Sequence, residues 1–269
     1  MGIVVYCFPT EGDSLDIEVS STESVNGQIK ELKDVRVSCT LNNKLYPAVF
    51  VKDINEKSGI PMQLYRLRHS IKKGDIIGLQ AKASGFSTIT STATVPLDPT
   101  ISRVSLDTLF IKGEWYVQIR CTIKNSPKND YFAVRVLGQE DYGDSLAISA
   151  EGVDTSGEPI LNNYNTGDDG FNTSNDFYHD FYTFDNTGIT DSTYTLHLNM
   201  PEKKYIIGYR VQLFRITPAF YSYMKSLNDI QNNDFNDYGM SFIRPSFTNI
   251  QNGIGILGAY SNVQSGWLK

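Results

Sequence analysis

The chain has 269 residues and a formal net charge of −6, and 40% of its residues are hydrophobic. This length allows one large domain or two ordinary ones, with enough apolar residues to fill a core. The negative charge argues against a basic face for phosphates, so the sequence predicts no nucleic-acid partner. No stretch approaches about 18 consecutive apolar residues, so no segment is predicted to span a bilayer.

Alternation of apolar and polar residues dominates the chain, and this pattern is typical of half-buried strands. An early example is Leu15, Ile17 and Val19, and the cleanest example runs from 115 to 123. Turn-forming glycine, asparagine and aspartate residues separate these runs at regular spacing. The pattern therefore predicts an all-β protein built from antiparallel β-sandwiches.

Two prolines, Pro96 and Pro99, mark the best candidate for a domain boundary, because proline ends strands and stiffens linkers. The sequence predicts that residues 1–96 form an immunoglobulin-like or transthyretin-like β-sandwich. Residues 97–269 are predicted to form a larger β-sandwich that carries a long loop, 156–176, and one short helix.

The helix is predicted near 218–229, in the second domain. Thr217 is a suitable N-cap, and Pro218 suits the first helical position, where no N–H is needed. The polar run that follows predicts a loop from 228 to 236. The apolar residues recur at the spacing of one helix face: Phe220, Tyr223, Met224 and Leu227.

The three cysteines, Cys7, Cys39 and Cys121, lie far apart and lack the spacing of a metal site or a redox motif. Each lies in an alternating apolar stretch, so we expect small buried side chains. A disulfide remains open only for Cys7 and Cys39, which lie on early strands that could be neighbours. Bulky Tyr6 argues against lipid attachment at Cys7, because such sites need a small residue there.

The segment from Asn162 to Asn186 is rich in aromatic and acidic residues and contains no lysine or arginine. Its aromatic side chains are suited to stack on sugar rings or to anchor a protein partner, with Asp176 among the hydrogen-bonding groups. Alternatively, a strand from Phe177 to Phe184 would place its aromatics in the second core. The aromatic candidates for ligand binding are Tyr164, Phe171, Phe177, Tyr178, Phe181 and Tyr182.

Several oxygen donors in the same loop are candidates for calcium ligands. They do not follow the EF-hand order and no glutamate closes the set, so we predict no metal and no cofactor. His69 and His197 have no close cysteine or aspartate in the sequence, and we expect them to be solvated. The calcium candidates are Asp168, Asp169, Asn172 and Asp176.

An esterase hypothesis comes from residues 12–15, which spell Gly-Asp-Ser-Leu, the nucleophile block of GDSL-type esterases. Asp176 and His179 have the spacing of the other two triad members, and a nucleophilic serine needs such a base and carboxylate. The context argues against this hypothesis, because strand alternation continues past Ser14. The same four letters recur at 143–146, as expected for a turn sequence. We therefore predict that the chain is not an enzyme.

The last third of the chain carries two motifs that resemble one known family. Residues 215–227 contain the pattern Y-x-Y-x-x-S-L, and residues 249–261 are NIQNGIGILGAYS. Together they are similar to the C-terminal signature of the domain of unknown function 4249 family. The opening strand and the segment 73–96 are also similar, so the resemblance covers nearly the full chain. The departures from the signature are Thr248, Asn252 and Leu257.

The glycines of this signature, Gly253, Gly255 and Gly258, predict positions of positive φ or of close backbone approach. We expect a bulged last strand that packs tightly against the sheet. This is a structural role, and we assign no chemistry to it.

The resemblance implies a location more than an activity. Members look like lipoproteins of Bacteroidota, commonly encoded beside TonB-dependent outer-membrane transporters, and they have no established catalytic residues to transfer. The resemblance therefore implies a mature ectodomain whose sequence here lacks its leader and anchor cysteine. A lipid anchor, its only contact with the membrane, would hold it to the cell-surface or the periplasmic face of the outer membrane. The first hypothesis is a non-catalytic accessory to a TonB-dependent transporter in nutrient binding or uptake. The alternative is a surface adhesin or a module that binds glycan or peptide.

Overall fold

The computed structural model describes residues 2–22, 32–55, 61–111, 113–126, 129–163, 178, 180–232 and 247–269. The fold is all-β with mostly antiparallel sheets and one α-helix, which confirms the predicted fold class. The strands in chain order are β1 (Ile3–Cys7), β2 (Leu15–Ser21), β3 (Arg36–Leu41), β4 (Lys44–Pro47), β5 (Val49–Asn55), β6 (Pro61–Leu67), β7 (Ile76–Lys82), β8 (Ile89–Thr94), β9 (Ile101–Ile111), β10 (Glu114–Lys124), β11 (Tyr131–Asp141), β12 (Leu146–Glu151), β13 (Asn162–Asn163), β14 (Tyr182–Asp185), β15 (Thr193–Pro201), β16 (Ile206–Ile216), β17 (Ile254–Leu257) and β18 (Tyr260–Gln264).

The described residues form two compact units. The first contains those of 2–97 together with those of 216–261, and the second contains those of 98–215 together with 262–269. The division near Leu97 coincides with the predicted boundary at Pro96. The second predicted domain, 97–269, is not continuous, because 216–261 packs with the first unit. The predicted immunoglobulin-like or transthyretin-like topology stays a prediction.

The first unit pairs a five-stranded sheet with a four-stranded sheet around one core. The larger sheet has the order β17-β1-β2-β6-β5, with β17 parallel to β1, and the smaller has the order β4-β3-β7-β8. Alternate side chains of β2, Leu15, Ile17 and Val19, are buried as predicted. Because successive side chains in a strand point to opposite faces, this alternation gives each sheet one apolar face for the shared core.

The second unit also contains two sheets. One has the order β15-β10-β9, and the other has the order β13-β14-β11-β16-β18, with β12 paired to β11. Ile119 and Cys121 of β10 face a core that they share with Phe132 and Val134 of β11. Phe132 stacks on Phe184 with ring centroids 5.2 Å apart, so part of the aromatic segment fills this core.

The helix α1 (Pro218–Asn232) begins where the sequence predicts it. The Thr217 hydroxyl oxygen accepts a hydrogen bond from the Phe220 N–H at 3.4 Å, as expected of an N-cap. Phe220 is buried, and its ring centroid lies 5.1 Å from that of Phe8 in the first unit. Two predictions need correction: the helix belongs to the first unit, and it continues to Asn232 rather than ending near 229.

The C-terminal signature packs within the first unit, where it pairs with β1 and contacts β8. The Asn249 side chain donates to the Leu257 carbonyl and accepts from the Leu257 N–H, both at 3.0 Å. Thr90 and Gln251 exchange backbone hydrogen bonds, so the same segment touches β8 as well as β1. Gly255 has a φ of +109°, which confirms that a glycine of this motif has a positive φ.

All three cysteines are buried free thiols, as the sequence predicts for small apolar side chains. Cys7 and Cys39 do not form the disulfide that the sequence left open. Burial raises the pKa of Cys39 and of Cys121 to about 12. Burial also raises the pKa of Cys7, and the nearby Cys39 adds to that effect. No helix in the described part of the chain is long and apolar enough to cross a membrane.

Candidate functional site

The aromatic residues predicted to bind ligand have a structural role where the structure describes them. Tyr178 and Phe181 are buried, and Phe181 lies against Phe214 with ring centroids 4.3 Å apart. The phenol oxygen of Tyr182 accepts a hydrogen bond from the Val153 N–H at 2.7 Å. Burial raises the pKa of Tyr182. These contacts support the second unit, so replacing Tyr178 or Tyr182 would weaken the fold itself.

Tyr164, Phe171, Phe177 and Asp176 lie outside the described residues, as do the calcium candidates Asp168, Asp169 and Asn172. Within the described residues, no group of three or more His, Cys, Asp or Glu side chains is arranged to hold a metal ion.

Of the three residues in the esterase hypothesis, Ser14 lies in the described part of the chain. Ser14 is exposed and immediately precedes β2, at the start of a hairpin strand as the sequence predicts. Asp176 and His179 lie outside the described residues. The second Gly-Asp-Ser-Leu sequence forms the turn between β11 and β12, where Gly143 has a φ of +85°.

The two described histidines both have partners. The His69 ring lies 4.2 Å from the Tyr46 ring. The His197 Nδ1 lies 3.5 Å from a carboxylate oxygen of Glu158, whose side chain is buried. Glu158 also accepts hydrogen bonds from the Tyr194 hydroxyl at 2.5 Å and from the His197 N–H at 2.7 Å. The sequence missed this group because its members come from separate segments.

A shallow polar depression of about 390 Å³ lies at one end of the second unit. At its floor the Asn186 amide donates to Asn125 and to the Ser126 carbonyl, and it accepts from the Asp130 N–H. The Asn125 amide donates to the carbonyls of two further turn residues. Because these amides already hold the turns together, the depression is best explained as turn architecture.

An exposed apolar surface of the first unit lies along two of its sheet edges. The chain leaves β4 at the edge of the smaller sheet and enters β5 at the edge of the larger sheet. Both strands therefore present one side without a strand partner among the described residues. We define the edge surface by four side chains that stay exposed there: Leu45, Val49, Phe50 and Val51.

β4 is protected as sheet edges usually are, because it is short and carries Lys44 and Pro47, whereas β5 begins with an apolar stretch ahead of Lys52. Natural edge strands carry charges, prolines or short lengths that prevent pairing with another chain. Here Phe50 is 48% exposed, and it packs edge-on against Tyr65 with ring centroids 5.7 Å apart. The register of β5 against β6 shifts between Phe50 and Lys52, which exposes three consecutive apolar side chains rather than an alternating pair. This arrangement is suited to bind a further strand.

The charges that surround the edge surface are mostly positive. Lys44 and Lys52 lie at either end of it and are exposed, and Arg68 is exposed just after β6. The Lys44 ammonium lies 5.4 Å from the centroid of the Tyr46 ring. Asp53 is the acidic residue in β5. A partner segment with acidic flanks would therefore complement this edge.

Comparison with known proteins identifies a family. The family model described as "Domain of unknown function (DUF4249)" matches residues 2–265. No curated protein sequence matches the chain. Among solved structures, the pullulanase complexed with maltotriose from Anoxybacillus sp. LM18-11 is similar at 5% identity and a TM-score of 0.25. That match covers 78% of this chain and 24% of the pullulanase chain, so this chain spans about a quarter of its length. A TM-score this low supports no statement about fold or function.

Proposed function

This chain belongs to the domain of unknown function 4249 family, whose model matches residues 2–265, and on that premise we propose that it acts by binding rather than by catalysis. Its role is that of an outer-membrane, lipid-anchored ectodomain that docks on a TonB-dependent transporter during nutrient uptake. The resemblance of the sequence motifs to Bacteroidota lipoproteins supports the location. The edge surface supports the mode of action.

The exposed apolar edge of β5 is the observation that carries this proposal. A strand at a sheet edge has unpaired backbone groups, and an added strand can bind them with a regular ladder of hydrogen bonds. Val49, Phe50 and Val51 supply the apolar contacts that give such a ladder affinity. The proposed partner segment is extended and apolar at its centre. It has acidic residues near its ends, opposite Lys44 and Lys52.

Capture from detergent-solubilised native membranes tests this function. The lipid-anchored protein is expected to recover a TonB-dependent transporter that mass spectrometry identifies. The variants F50K and V51K place a charge in the apolar edge, and we expect each to lower recovery of that transporter about tenfold or more. Val51 is exposed, so V51K should change the free energy of unfolding little. F50K also loses the ring contact with Tyr65, so it should cost about 0.5–1.5 kcal/mol.

The matched control is L97K, which adds the same charge at another exposed apolar position of the first unit. Recovery should stay at the native level in this variant. If the native protein recovers no TonB-dependent transporter, the proposal that it docks on such a transporter is wrong. If L97K, F50K and V51K lower recovery of the transporter equally, a general effect of the added charge explains the loss. The edge surface would then not be the docking site.

A further inference from the structure

A second exposed aromatic surface lies in the second unit, where β11 ends and β16 begins. Tyr142 and Tyr205 are 59% and 41% exposed. Their rings are nearly parallel, with planes 18° apart and centroids separated by 6.0 Å. The Asp141 N–H donates to the Tyr205 carbonyl at 2.8 Å, so the backbone holds the two tyrosines side by side. Exposed tyrosine rings held this way offer apolar faces with a polar rim.

A carboxylate fixes the first of these rings. The Tyr142 hydroxyl donates to Glu140 at 2.6 Å, and the Ser149 hydroxyl donates to the other Glu140 oxygen at 2.7 Å. These two hydrogen bonds, with that of Tyr142 the stronger influence, lower the pKa of Glu140. The carboxylate is therefore ionised at neutral pH and keeps lone pairs for a further donor.

A lysine beside the rings is held by a buried carboxylate. The Lys203 ammonium lies 2.7 Å from Glu151, whose side chain is 2% exposed while that of Lys203 is 38% exposed. Room for Glu151 depends on Gly138, where a Cβ would approach a Glu151 oxygen to 2.7 Å. A buried carboxylate is costly unless it is paired. Here its pairing fixes an ammonium group at the surface next to the tyrosines.

The tyrosine rings and the charged groups beside them favour some classes of ligand over others. Two carboxylates beside the rings disfavour a phosphate, and the Lys203 ammonium disfavours a cation. An apolar peptide would desolvate Glu140 and Lys203 and would offer no partner to their remaining hydrogen-bonding sites. A sugar ring offers a suitable contact to each of these side chains. Its C–H face packs on an aromatic ring. Its hydroxyls donate hydrogen bonds to a carboxylate and accept them from an ammonium.

We propose that Tyr142, Tyr205, Glu140 and Lys203 form a carbohydrate-binding subsite that recognises a neutral glycan. The two tyrosine rings bind the apolar face of a sugar. Glu140 accepts from its hydroxyls, and Lys203 donates to them. This subsite shares no residue with the edge surface and does not depend on transporter docking.

Affinity electrophoresis of the full chain tests the subsite. Native gels contain soluble xylan, mannan, laminarin or dextran, and a plain gel gives the reference mobility. We expect at least one polysaccharide to retard the native protein. The double variant Y142A/Y205A should weaken that binding about tenfold or more, because it removes the stacking faces. E140Q keeps an acceptor for Tyr142 but loses the charge, so it should weaken binding less than the double variant does.

The matched control is W115A, which removes another exposed aromatic side chain of the second unit. It should be retarded like the native protein, and thermal unfolding should confirm that all variants are folded. The proposal is overturned if no polysaccharide retards the native chain, or if Y142A/Y205A is retarded normally. Equal loss in W115A would also overturn it, because binding would then not depend on this subsite. Transporter capture by Y142A/Y205A should equal that of the native protein.

Discussion

At the scale of single residues, Gly255 leaves no room for a side chain. It is paired with Val5 in the parallel β1–β17 ladder, and its φ is +109°. A Cβ at this position would overlap the Val5 carbonyl oxygen. The variant G255A therefore combines left-handed strain with a backbone clash, and we expect a loss of about 3–5 kcal/mol in the free energy of unfolding. Urea denaturation measures this loss.

Gly74 provides the control for this prediction. It also has a positive φ, of +87°, but a Cβ there meets open space. G74A should therefore lose only the conformational term, about 1–2 kcal/mol. If G74A and G255A lose the same free energy of unfolding, the close approach of Gly255 to β1 does not contribute to the cost of G255A.

The sequence could predict the general role of these glycines but not their individual roles. Gly255 needs both a positive φ and a close approach, whereas Gly253 and Gly258 need only space. A Cβ at Gly253 would lie 2.8 Å from the Ile3 carbonyl oxygen, and one at Gly258 would lie 3.0 Å from the Phe220 ring. Their partners are distant along the chain, and alternation within a strand carries no information about such pairings.

At the scale of elements, the strands were predictable because half-buried strands impose alternation. Some exceptions lie at or next to strand ends. Trp115, Tyr205 and Ile207 fit the alternating pattern, yet all three are exposed. The pattern reports which side of a sheet a residue faces, but not whether another layer covers that position. This is also why the sequence did not find the edge surface or the tyrosine pair.

The helix start was predictable and its end was not. Thr217 and Pro218 are local signals that act within one turn. The apolar stripe ends at Leu227, whereas the helical backbone continues to Asn232. Backbone hydrogen bonds extend a helix through polar residues without any apolar stripe, so hydrophobic periodicity underestimates its length.

The C-terminal segment is an essential element of the first unit, and a fragment tests this. Ile250, Leu257 and Ala259 belong to the same buried core as Ile3 and Val5. A fragment of residues 1–97 lacks these side chains and leaves β1 without its parallel partner, so we expect it to remain unfolded. Far-UV circular dichroism and amide-proton NMR dispersion measure this.

A joined fragment is the control. Residues 1–97 connected by a flexible glycine-serine linker to 216–261 restore β17 and the core side chains, so this protein should fold and unfold cooperatively. A stably folded 1–97 fragment would contradict the prediction and would support the sequence-based boundary at Pro96 as a complete domain limit.

At the scale of the whole molecule, the sheets were predictable from alternation, whereas the residues of the proposed glycan subsite come from separate segments of the sequence. The proposed glycan subsite combines a β11 carboxylate, a tyrosine from the following turn and a lysine from the segment before β16. Glu140 and Lys203 are brought together only by the pairing of β11 with its neighbours. The sequence predicts ligand binding by the aromatic loop because its aromatic residues are adjacent in the sequence. The structure shows that Tyr178 and Phe181 are buried. Local composition shows where aromatic residues are abundant, and tertiary packing determines which of them reach a ligand.

Buried thiols and buried or partly buried phenols are expected to make the stability of the whole molecule sensitive to alkaline pH. Burial raises the pKa of Cys39 and Cys121 to about 12. Burial is also the main cause that raises the pKa of Tyr194 and Tyr209 to about 12. In the unfolded chain these groups titrate near about 8.5 for cysteine and 10 for tyrosine. The folded state therefore keeps its protons at pH values where the unfolded state has released them.

The direction of the effect follows from this difference. The full stability is present below about pH 8.5, and it is lost progressively as the pH rises towards 12, because unfolding then releases protons. Each buried thiol contributes a slope of at most about 1.4 kcal/mol per pH unit. Urea midpoints measured at pH 8, 9, 10 and 11 should fall steadily. The variant C121A removes one titrating group, so its midpoints should fall less steeply even where its stability at pH 8 is lower. Midpoints that stay constant from pH 8 to 11 would contradict the expected proton release, since buried neutral thiols and phenols require it.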